Sequence, residues 1–357
     1  MPLPQPIPFK PEVEQILPDE QTTIAGLNEA FDQILETTAR NYKHAVRAVH
    51  AKSHGVLVAT FTVNPNLPDH LAQGMFASPA TYEAYVRLST NAGDILPDVV
   101  SLPRGMAIKV VGVRGPRLSD AEGQSQDFVL VNGPVFQAPN AEKFLGKLKL
   151  LAKTTDKMES GKVALSSVLR GVNKALTAVG IESVAINAMG GAPNVDPLGE
   201  TYFSVTPFRY GDFVAKFRLV PASADLKDRS GVEIDASDNE NAIRDTVRAE
   251  VATINGRWNF QVQLCRDIEK QPIEDPTVEW KEDEAPFETV ATLSIAAQDS
   301  WSAYNVRNID EAMRFSVWTG IEAHQPLGNI NRARKATYRH SSDFRQATNG
   351  CPIHEPR

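Results

Sequence analysis

Eight runs of β-forming residues, arranged as two groups of four, constrain the fold of this chain more than any other feature of its sequence. Two segments with helical character, "NAEKFLGKLKLLAKTT" and "ALSSVLRGVNKALTAVG", separate the groups. Eight strands of this length can close into an antiparallel barrel around a filled core or a ligand, so we predict an α+β fold of this kind. The runs are "GVLVATFTV" (55–63), "AYVRLST" (84–90), "MAIKVVGV" (106–113), "DFVLVNG" (127–133), "ETYFSVTPF" (200–208), "DFVAKFRLV" (212–220), "RWNFQVQLC" (257–265) and "FETVATLSI" (287–295).

The segments at the two ends of the chain read differently from the barrel. Residues 1–20 are rich in proline, which fixes φ and removes backbone donors, and this predicts an extended arm. Apolar residues at helical spacing predict a helix over 22–45, and a second pattern predicts one over 328–345. We therefore expect an arm at 1–20, one barrel domain over 21–346 and a flexible tail at 347–357.

The charge balance excludes some classes of partner. The 357 residues carry a net charge of −7. Nucleic acid and anionic membrane surfaces need a clustered cationic surface, so neither is expected as the main partner. We expect no membrane span, because the sequence has no run of about 18 apolar residues. The first residues lack the pattern of a signal peptide, so a cytoplasmic location is the expectation.

The last helical pattern, "GNINRARKATYRHSSDFR", is unusually cationic for an acidic chain. At about 100° per residue, Arg334, Tyr338 and Arg345 project within roughly 40° of one another. A neighbouring guanidinium stabilises a phenolate by opposite charge, and a trivalent metal does so more strongly. One interpretation is a phenolate ligand for ferric iron. The other is an exposed basic helix whose tyrosine packs its ring on the body of the protein.

A second informative stretch, "RAVHAKSHG", precedes the first strand run and contains His50 and His54. The spacing of four is that of a zinc pair on a helix, but a glycine follows at once and the glutamate base of a zinc protease is missing, so we reject zinc. The segment "GGAPNVDPLGE" lacks the glycine pattern of a dinucleotide site. No G-x-S-x-G motif is present. From these residues alone His50 is either a core histidine or a functional group.

Taken in order along the chain, the motifs resemble those of the haem catalases, in a short, catalase-related form. "RAVHAKSHGVLVATFTV" is similar to the catalase segment that carries the distal histidine. "VRLSTNAGD" resembles R-F-S-T-x-A-G-E, and "LPRGMAIKV" resembles D-P-R-G-F-A-V-K-F. "LVNGPVF" is similar to N-N-T-P-I-F, and "RKATYRHSSDFR" to the proximal R-x-x-x-Y motif with a further arginine seven residues on. The similarity extends from about residue 47 to residue 345.

The resemblance implies a role for each matching residue. Tyr338 would be the axial ligand of a ferric haem b, with Arg334 as its charge partner. His50 would be the distal acid–base, and Ser89 would fix its tautomer. The remaining positions implied to contact haem are Arg47, Arg87 and Arg345 at the two propionates, together with Val49, Phe136 and Phe144.

Several positions depart from the catalase pattern. Alignment on Pro134 puts Val131 where the catalytic asparagine belongs and Asn132 one place later, and a shift of one residue in a strand reverses the side chain. The aspartate of D-P-R-G is Leu102, and Ser342 stands four residues after the tyrosine. Val49 matches catalases, whereas coral allene oxide synthase has threonine there. Both Asn132 and Val131 stay open as the distal residue.

These features together predict a haem-dependent peroxidase that reduces organic hydroperoxides or hydrogen peroxide through an oxyferryl intermediate. The alternatives are a true catalase, a fatty-acid hydroperoxide isomerase of the allene oxide synthase type, and a haem sensor without turnover. The expected partners are a small-molecule peroxide and an electron donor, and the resemblance suggests a homodimer.

Overall fold

The structure is a computed structural model, and it describes residues 3–154 and 193–356. All of its strand pairings are antiparallel, and they connect the strands in the order β5-β4-β3-β2-β1-β9-β8-β7-β6. Pairing of β5 with β7 closes eight strands into a barrel, and β6 adds to β7 at the edge. The eight-stranded antiparallel barrel predicted from the sequence is confirmed. The strands are β1 (Ser53–Val63), β2 (Thr81–Thr90), β3 (Arg104–Val111), β4 (Ser125–Val131), β5 (Tyr202–Phe203), β6 (Phe208–Tyr210), β7 (Phe213–Pro221), β8 (Arg257–Leu264) and β9 (Phe287–Ser294).

One strand prediction is wrong. The run 200–208 is not continuous, because it divides into the two-residue β5 and the three-residue β6. Between them Val205 has a φ of 54°, in the left-handed region that a β-branched residue rarely adopts. The hydroxyl of Thr206 also bonds back to the carbonyl of Ser204 at 3.1 Å, and this contact stabilises the reversal of the chain. The local composition therefore favoured one continuous strand, whereas the chain reverses at Val205 and divides the strand in two.

Four longer helices accompany the barrel in the described part of the chain. The predicted helix near the start of the chain ends at Tyr42, because Lys43 takes a φ of 55°. The segment "ALSSVLRGVNKALTAVG", also predicted to be helical, lies outside the described residues. Within 3–154 and 193–356, no helix combines the length and the apolar character needed to cross a bilayer. The helices are α1 (Glu20–Tyr42), α2 (Ala141–Thr154), α3 (Ala242–Val251) and α4 (Asn329–Asn349), and the shorter helical segments are Pro11–Val13, Gly74–Phe76, Pro197–Gly199, Ala224–Lys227, Ala303–Asn305, Val306–Glu311 and Glu322–His324.

The interior of the barrel is filled by aromatic rings. Phe260 lies at the centre of this cluster, with ring centroids 4.7 Å from Phe128, 5.3 Å from Phe61 and 5.4 Å from Phe217. All four rings are buried. Packed aromatic side chains contribute both their large apolar area and favourable edge-to-face contacts. The barrel is thus a solid core, and any ligand must bind outside it.

Helices α1, α2 and α4 form a layer outside the barrel and share a second apolar cluster. Two contacts join α4 to the loop that follows α1. The side chain of Asn349 bonds to both the N–H and the C=O of Ala45, and the hydroxyl of Ser341 accepts the N–H of Ala48 at 3.1 Å. The seam between barrel and helix layer is therefore bounded by segments from both ends of the chain.

Both ends of the described chain contact the barrel. In the N-terminal arm, Pro8 forms an isolated bridge with Phe213 of β7. After α4, Glu355 forms an ion pair with the fully buried Lys109 of β3, which also pairs with Asp127. The division into arm, domain and flexible tail stays a prediction.

Replacement of Phe260 by alanine removes the central ring of the barrel core. Large-to-small substitutions of this kind cost about 3–5 kcal/mol, because both the transfer energy and the packing around the cavity are lost. We expect the midpoint of guanidinium unfolding to fall accordingly. Tyr304→Ala, at a side chain that is 72% exposed, is the control and should change little. Equal midpoints for the two variants would contradict a solid core.

Candidate functional site

Two adjoining cavities lie between the barrel wall and the helix layer. The larger has a volume of about 400 Å³ and is lined mainly by apolar side chains. The smaller, of about 80 Å³, is lined by several arginines. The residues common to both walls are Phe31, Val49, His50, Thr337 and Tyr338.

His50 lies in the loop before β1 and has an unusual backbone conformation. Its φ of 53° falls in the left-handed region, which costs a non-glycine residue of the order of 1 kcal/mol or more. Contacts on both sides hold it there. Its N–H donates to the carbonyl of Asn91 at 3.2 Å, and its C=O accepts a hydrogen bond from Arg87 at 2.9 Å. A strained residue that is fixed in this way, at the wall shared by two cavities, is a candidate for function.

The imidazole of His50 is held by two neighbours on adjacent strands. Nδ1 lies 3.0 Å from the hydroxyl of Ser89 on β2. On β3, a Cβ at Gly105 would come within 2.7 Å of the same ring, so only glycine leaves room for it. Burial lowers the pKa of His50 to about 3, and the guanidinium of Arg87 adds to this. The ring is therefore neutral at pH 7 and can accept a proton.

His54, the other histidine of the motif, has a different environment. It lies on β1 and is completely buried, and within the described part of the chain neither ring nitrogen makes a hydrogen bond. Burial holds the pKa of His54 well below its ordinary value. The interpretation as a core histidine therefore fits His54, whereas His50 lines the cavities.

Tyr338 and Arg334 approach the larger cavity from α4. Both line it, one helical turn apart, as the helical period predicted. Arg334 is held by the hydroxyl of Thr206 at 3.3 Å and by the side chain of Asn331 at 3.1 Å. Tyr338 thus reaches the cavity from the helix side and His50 from the barrel side.

Three predicted arginines converge on one short segment. The carboxylate of Asp310 accepts hydrogen bonds from Arg87 at 2.6 Å and Arg47 at 3.2 Å. The next carbonyl, that of Glu311, accepts from Arg345 of α4 at 2.6 Å. All three arginines also line the smaller cavity. The sequence did place these guanidiniums together, but it did not identify the carboxylate between them.

The charge of this cluster is not balanced. Burial acts to raise the pKa of Asp310, but the charges of Arg87 and Arg47 outweigh it and lower the pKa below the ordinary value. Asp310 is therefore ionised, and the charge of Glu311 also acts on Arg47 and Arg345, yet three guanidiniums face these two carboxylates. A further arginine, Arg314, lines the same cavity. The excess of positive charge suits a ligand with carboxylate or phosphate groups.

The remaining predicted haem contacts lie along the larger cavity. Phe136 and Phe144 both line it, with ring centroids 5.3 Å apart, and the guanidinium of Arg334 lies 5.8 Å from the Phe136 ring. Val49 lines both cavities beside His50. These side chains give the larger cavity apolar walls suited to a flat aromatic group.

The end of β4 brings both candidate distal residues to the larger cavity. Val131 pairs with Gly105, the residue that contacts the His50 ring. Asn132 follows, and its side chain bonds to the N–H of Arg104 at 2.8 Å and to Glu200 at 2.6 Å. The valine thus occupies the ladder position nearest Gly105, while the asparagine amide is held by two other groups.

Several residues of the site were not assigned a role from the sequence. They are Asp310, Arg314, Ser341, Gly105 and Glu200, each of which lines a cavity or holds a group that does. Gly105, Glu200 and Ser341 lie within segments whose pattern was recognised, but nothing in those patterns pointed to these residues. Asp310 and Arg314 belong to a segment that comes near His50 and Tyr338 only in the folded chain.

The fold is shared with catalases of known structure, whereas sequence comparison finds nothing. No protein-family model and no curated protein matches the chain. A fungal catalase has a TM-score of 0.61 at 17% identity, over 89% of this chain and 65% of that one. Catalase A from Saccharomyces cerevisiae gives 0.61 at 15%, over 98% and 69%, and a bacterial catalase 0.60 at 15%, over 99% and 66%. The chain spans about two thirds of the length of these catalases and has a catalase-like fold.

Asp310→Asn tests whether the arginine cluster depends on one carboxylate. Removal of one partner from a buried ion pair leaves uncompensated charge and costs about 3–5 kcal/mol. We expect a clear fall in the unfolding midpoint at pH 7. The matched control is Asp299→Asn, which breaks the exposed pair with Arg248 and should change little. If both variants lose the same stability, the cluster is not held by Asp310.

Proposed function

We propose that this protein is a haem-dependent peroxidase that reduces organic hydroperoxides, with hydrogen peroxide as a second substrate. One observation carries the proposal. A neutral imidazole from the barrel side and a phenol from α4 line the wall shared by two adjoining cavities, of which the larger is mainly apolar and the smaller is lined by arginines. Each residue that the catalase resemblance assigns to the haem site contributes to these walls or to the contacts that hold them.

The residues of the cavity fit a haem. Its macrocycle is flat and apolar, as are the walls formed by Phe136, Phe144 and Val49. Its two propionates need cations at one edge, and the arginine cluster lies there. Because Gly105 has no Cβ, the His50 ring keeps its position at the cavity wall.

Tyr338 would hold the iron through its phenolate oxygen, and Arg334 lines the same cavity one helical turn away. When bound, a haem iron supplies the redox chemistry that breaks an O–O bond. The protein supplies position and proton transfer. His50, which lines the same cavities from the barrel side, would be left to act on the substrate.

His50 would move the proton of the substrate. With Nδ1 engaged by Ser89, Nε2 is the nitrogen available to accept the proton of the hydroperoxide O–H and return it to the leaving oxygen. The leaving group then departs as an alcohol, or as water from hydrogen peroxide. An organic donor then supplies two electrons and two protons, and the second peroxide oxygen leaves as water. A pKa of about 3 keeps His50 in the required neutral form at pH 5–8.

The wall near His50 favours a peroxidase over a true catalase. Val131 stands at the ladder position of Gly105 and offers no hydrogen bond to a bound peroxide. A cavity with this apolar lining also accepts an organic substituent. Homodimeric assembly, a cytoplasmic location and the nature of the electron donor stay predictions.

Tyr338→Phe removes the proposed iron ligand while it keeps the ring that packs in the cavity wall. We expect the variant to fold but to retain less than about a tenth of the haem after purification from cells supplied with it, because the anionic ligand is lost. The haem content per chain and the ferric absorption spectrum measure this. Tyr304→Phe, at an exposed tyrosine, is the control. Normal haem retention by Tyr338→Phe would refute the assignment.

His50→Ala should keep haem and lose reactivity, since positioned proton transfer contributes typically about 100- to 10,000-fold. The measurement is the stopped-flow rate of reaction with cumene hydroperoxide at pH 7. His70→Ala, at a half-exposed histidine on the barrel surface, should react like the wild type. An unchanged rate in His50→Ala would remove the role of the imidazole.

The same stopped-flow experiment on the wild type separates the alternatives. Hydrogen peroxide, cumene hydroperoxide and a fatty-acid hydroperoxide are compared, with oxygen evolution and products recorded in parallel. We expect an alcohol product, a requirement for an electron donor and little oxygen. Rapid oxygen evolution would indicate a true catalase. Conversion of the fatty-acid hydroperoxide without a donor would indicate an isomerase, and no reaction at all would indicate a sensor.

A further inference from the structure

The side-chain amide of Asn132 has a single allowed orientation. Its Oδ1 accepts the backbone N–H of Arg104 at 2.8 Å, and its Nδ2 donates to Oε1 of Glu200 at 2.6 Å. A reversed amide would set two donors against each other at Arg104 and would remove the donor from Glu200. A primary amide has two N–H groups, so the bond to Glu200 leaves the second one for an acceptor in the cavity.

Glu200 lies at the junction of the turn Pro197–Gly199 with β5, and it lines the larger cavity together with Asn132 and His50. Its second oxygen, Oε2, is enclosed and makes no hydrogen bond within residues 3–154 and 193–356. In an ionised carboxylate both oxygens seek donors. A neutral carboxyl group leaves less charge uncompensated in such a position.

The charged and titratable groups around Glu200 come from three elements. Among the described residues, Arg104 of β3 is the cation whose charge acts on Glu200, and its guanidinium already bonds to Asn194 and to neighbouring carbonyls. Tyr202 of β5 interacts electrostatically with Glu200 and with Asp196 of the preceding turn. Burial raises the pKa of Glu200, against the charge of Arg104 and the hydrogen bond from Asn132. Glu200 therefore keeps its proton to a higher pH than an exposed glutamate does.

The imidazole of His50, which lines the same cavity, does not titrate between pH 5 and 8. The pKa of His50 is about 3, so its charge does not change between pH 5 and 8. Within the described part of the chain, Glu200 is the one carboxyl side chain on the wall of the larger cavity. A pH effect inside the cavity at mildly acidic to neutral pH would thus report on Glu200.

We propose that Glu200 is a positioning residue, which fixes the amide of Asn132 as a hydrogen-bond donor to the hydroperoxide and makes the strength of that donor depend on pH. The proposal rests on the function proposed above. With Glu200 protonated, the free N–H of Asn132 can stabilise the electron-rich oxygen of the substrate. Loss of the proton puts negative charge beside the cavity and opposes that interaction.

Two variants distinguish the hydrogen bond that holds the Asn132 amide from the titration of Glu200. Glu200→Gln keeps an acceptor for Asn132 but cannot titrate, and Glu200→Ala removes both properties. The control is Glu284→Gln, which changes a glutamate paired with Lys270 on the surface.

The first measurement uses the protein without added haem, so it does not depend on the proposed function. The infrared spectrum at pH 6 should contain a carboxylic acid C=O band from Glu200. We expect Glu200→Gln to lose this band and Glu284→Gln to keep it. An unchanged set of acid bands in Glu200→Gln would show that Glu200 is ionised and would overturn the proposal.

The second measurement uses the haem-loaded ferrous protein with carbon monoxide, whose C–O stretching frequency responds to nearby donors and charges. We expect this frequency to shift between pH 5 and 8 in the wild type and in Glu284→Gln. The shift should be lost in Glu200→Gln, Glu200→Ala and Asn132→Ala. Glu200→Ala should also change the frequency at pH 5, because the amide is no longer held.

Two results contradict the proposal in this second measurement. A pH-dependent shift that survives in Glu200→Gln would mean that another group titrates. A shift that survives in Asn132→Ala, but is lost in Glu200→Gln, would mean that Glu200 does not act through the amide. Failure to take up haem would overturn the proposed function, and the infrared result would still decide whether Glu200 holds a proton.

Discussion

The carboxylate of Asp310 is the point on which the geometry of the cavities depends. It binds Arg87 of β2 and Arg47 of the loop before β1, and its neighbour Glu311 holds Arg345 of α4 through a carbonyl. Buried guanidiniums that lie close together repel one another, and an anion between them offsets this repulsion. Arg87 also donates a hydrogen bond to the carbonyl of His50, so the same cluster helps to hold that residue in its strained conformation.

The filled barrel determines where chemistry can occur. Its strands direct alternate side chains inward to the core and outward to the seam, and β2 shows this division clearly. Leu88 belongs to the barrel core, while Arg87 and Ser89 on either side of it contribute to the site. Side chains on paired strands are positioned more precisely than side chains on loops. The helix layer then supplies Tyr338 from the other side.

The sequence predicted those features that depend on local pattern. Alternation of side chains gave seven of the eight predicted runs a counterpart among the long strands, and the helical period placed Arg334 and Tyr338 on one face. The run 200–208 failed because the chain reverses at the left-handed Val205 and divides the run into β5 and β6. Asp310 could not be found, since 223 residues separate it from Arg87. The choice between Val131 and Asn132 could not be predicted either, because it depends on how β4 pairs with β3.

The attachment of α4 to the loop before β1 has a consequence for synthesis on the ribosome. Ser341 and Ala48 meet across 293 residues, and α4 emerges only after every barrel strand has been translated. Until then the cavities lack the wall that α4 contributes, although α1 and α2 are already present. If haem binds as proposed, it would meet a nascent chain in which His50 is already present and Tyr338 is not. Docking of α4 would then close the site.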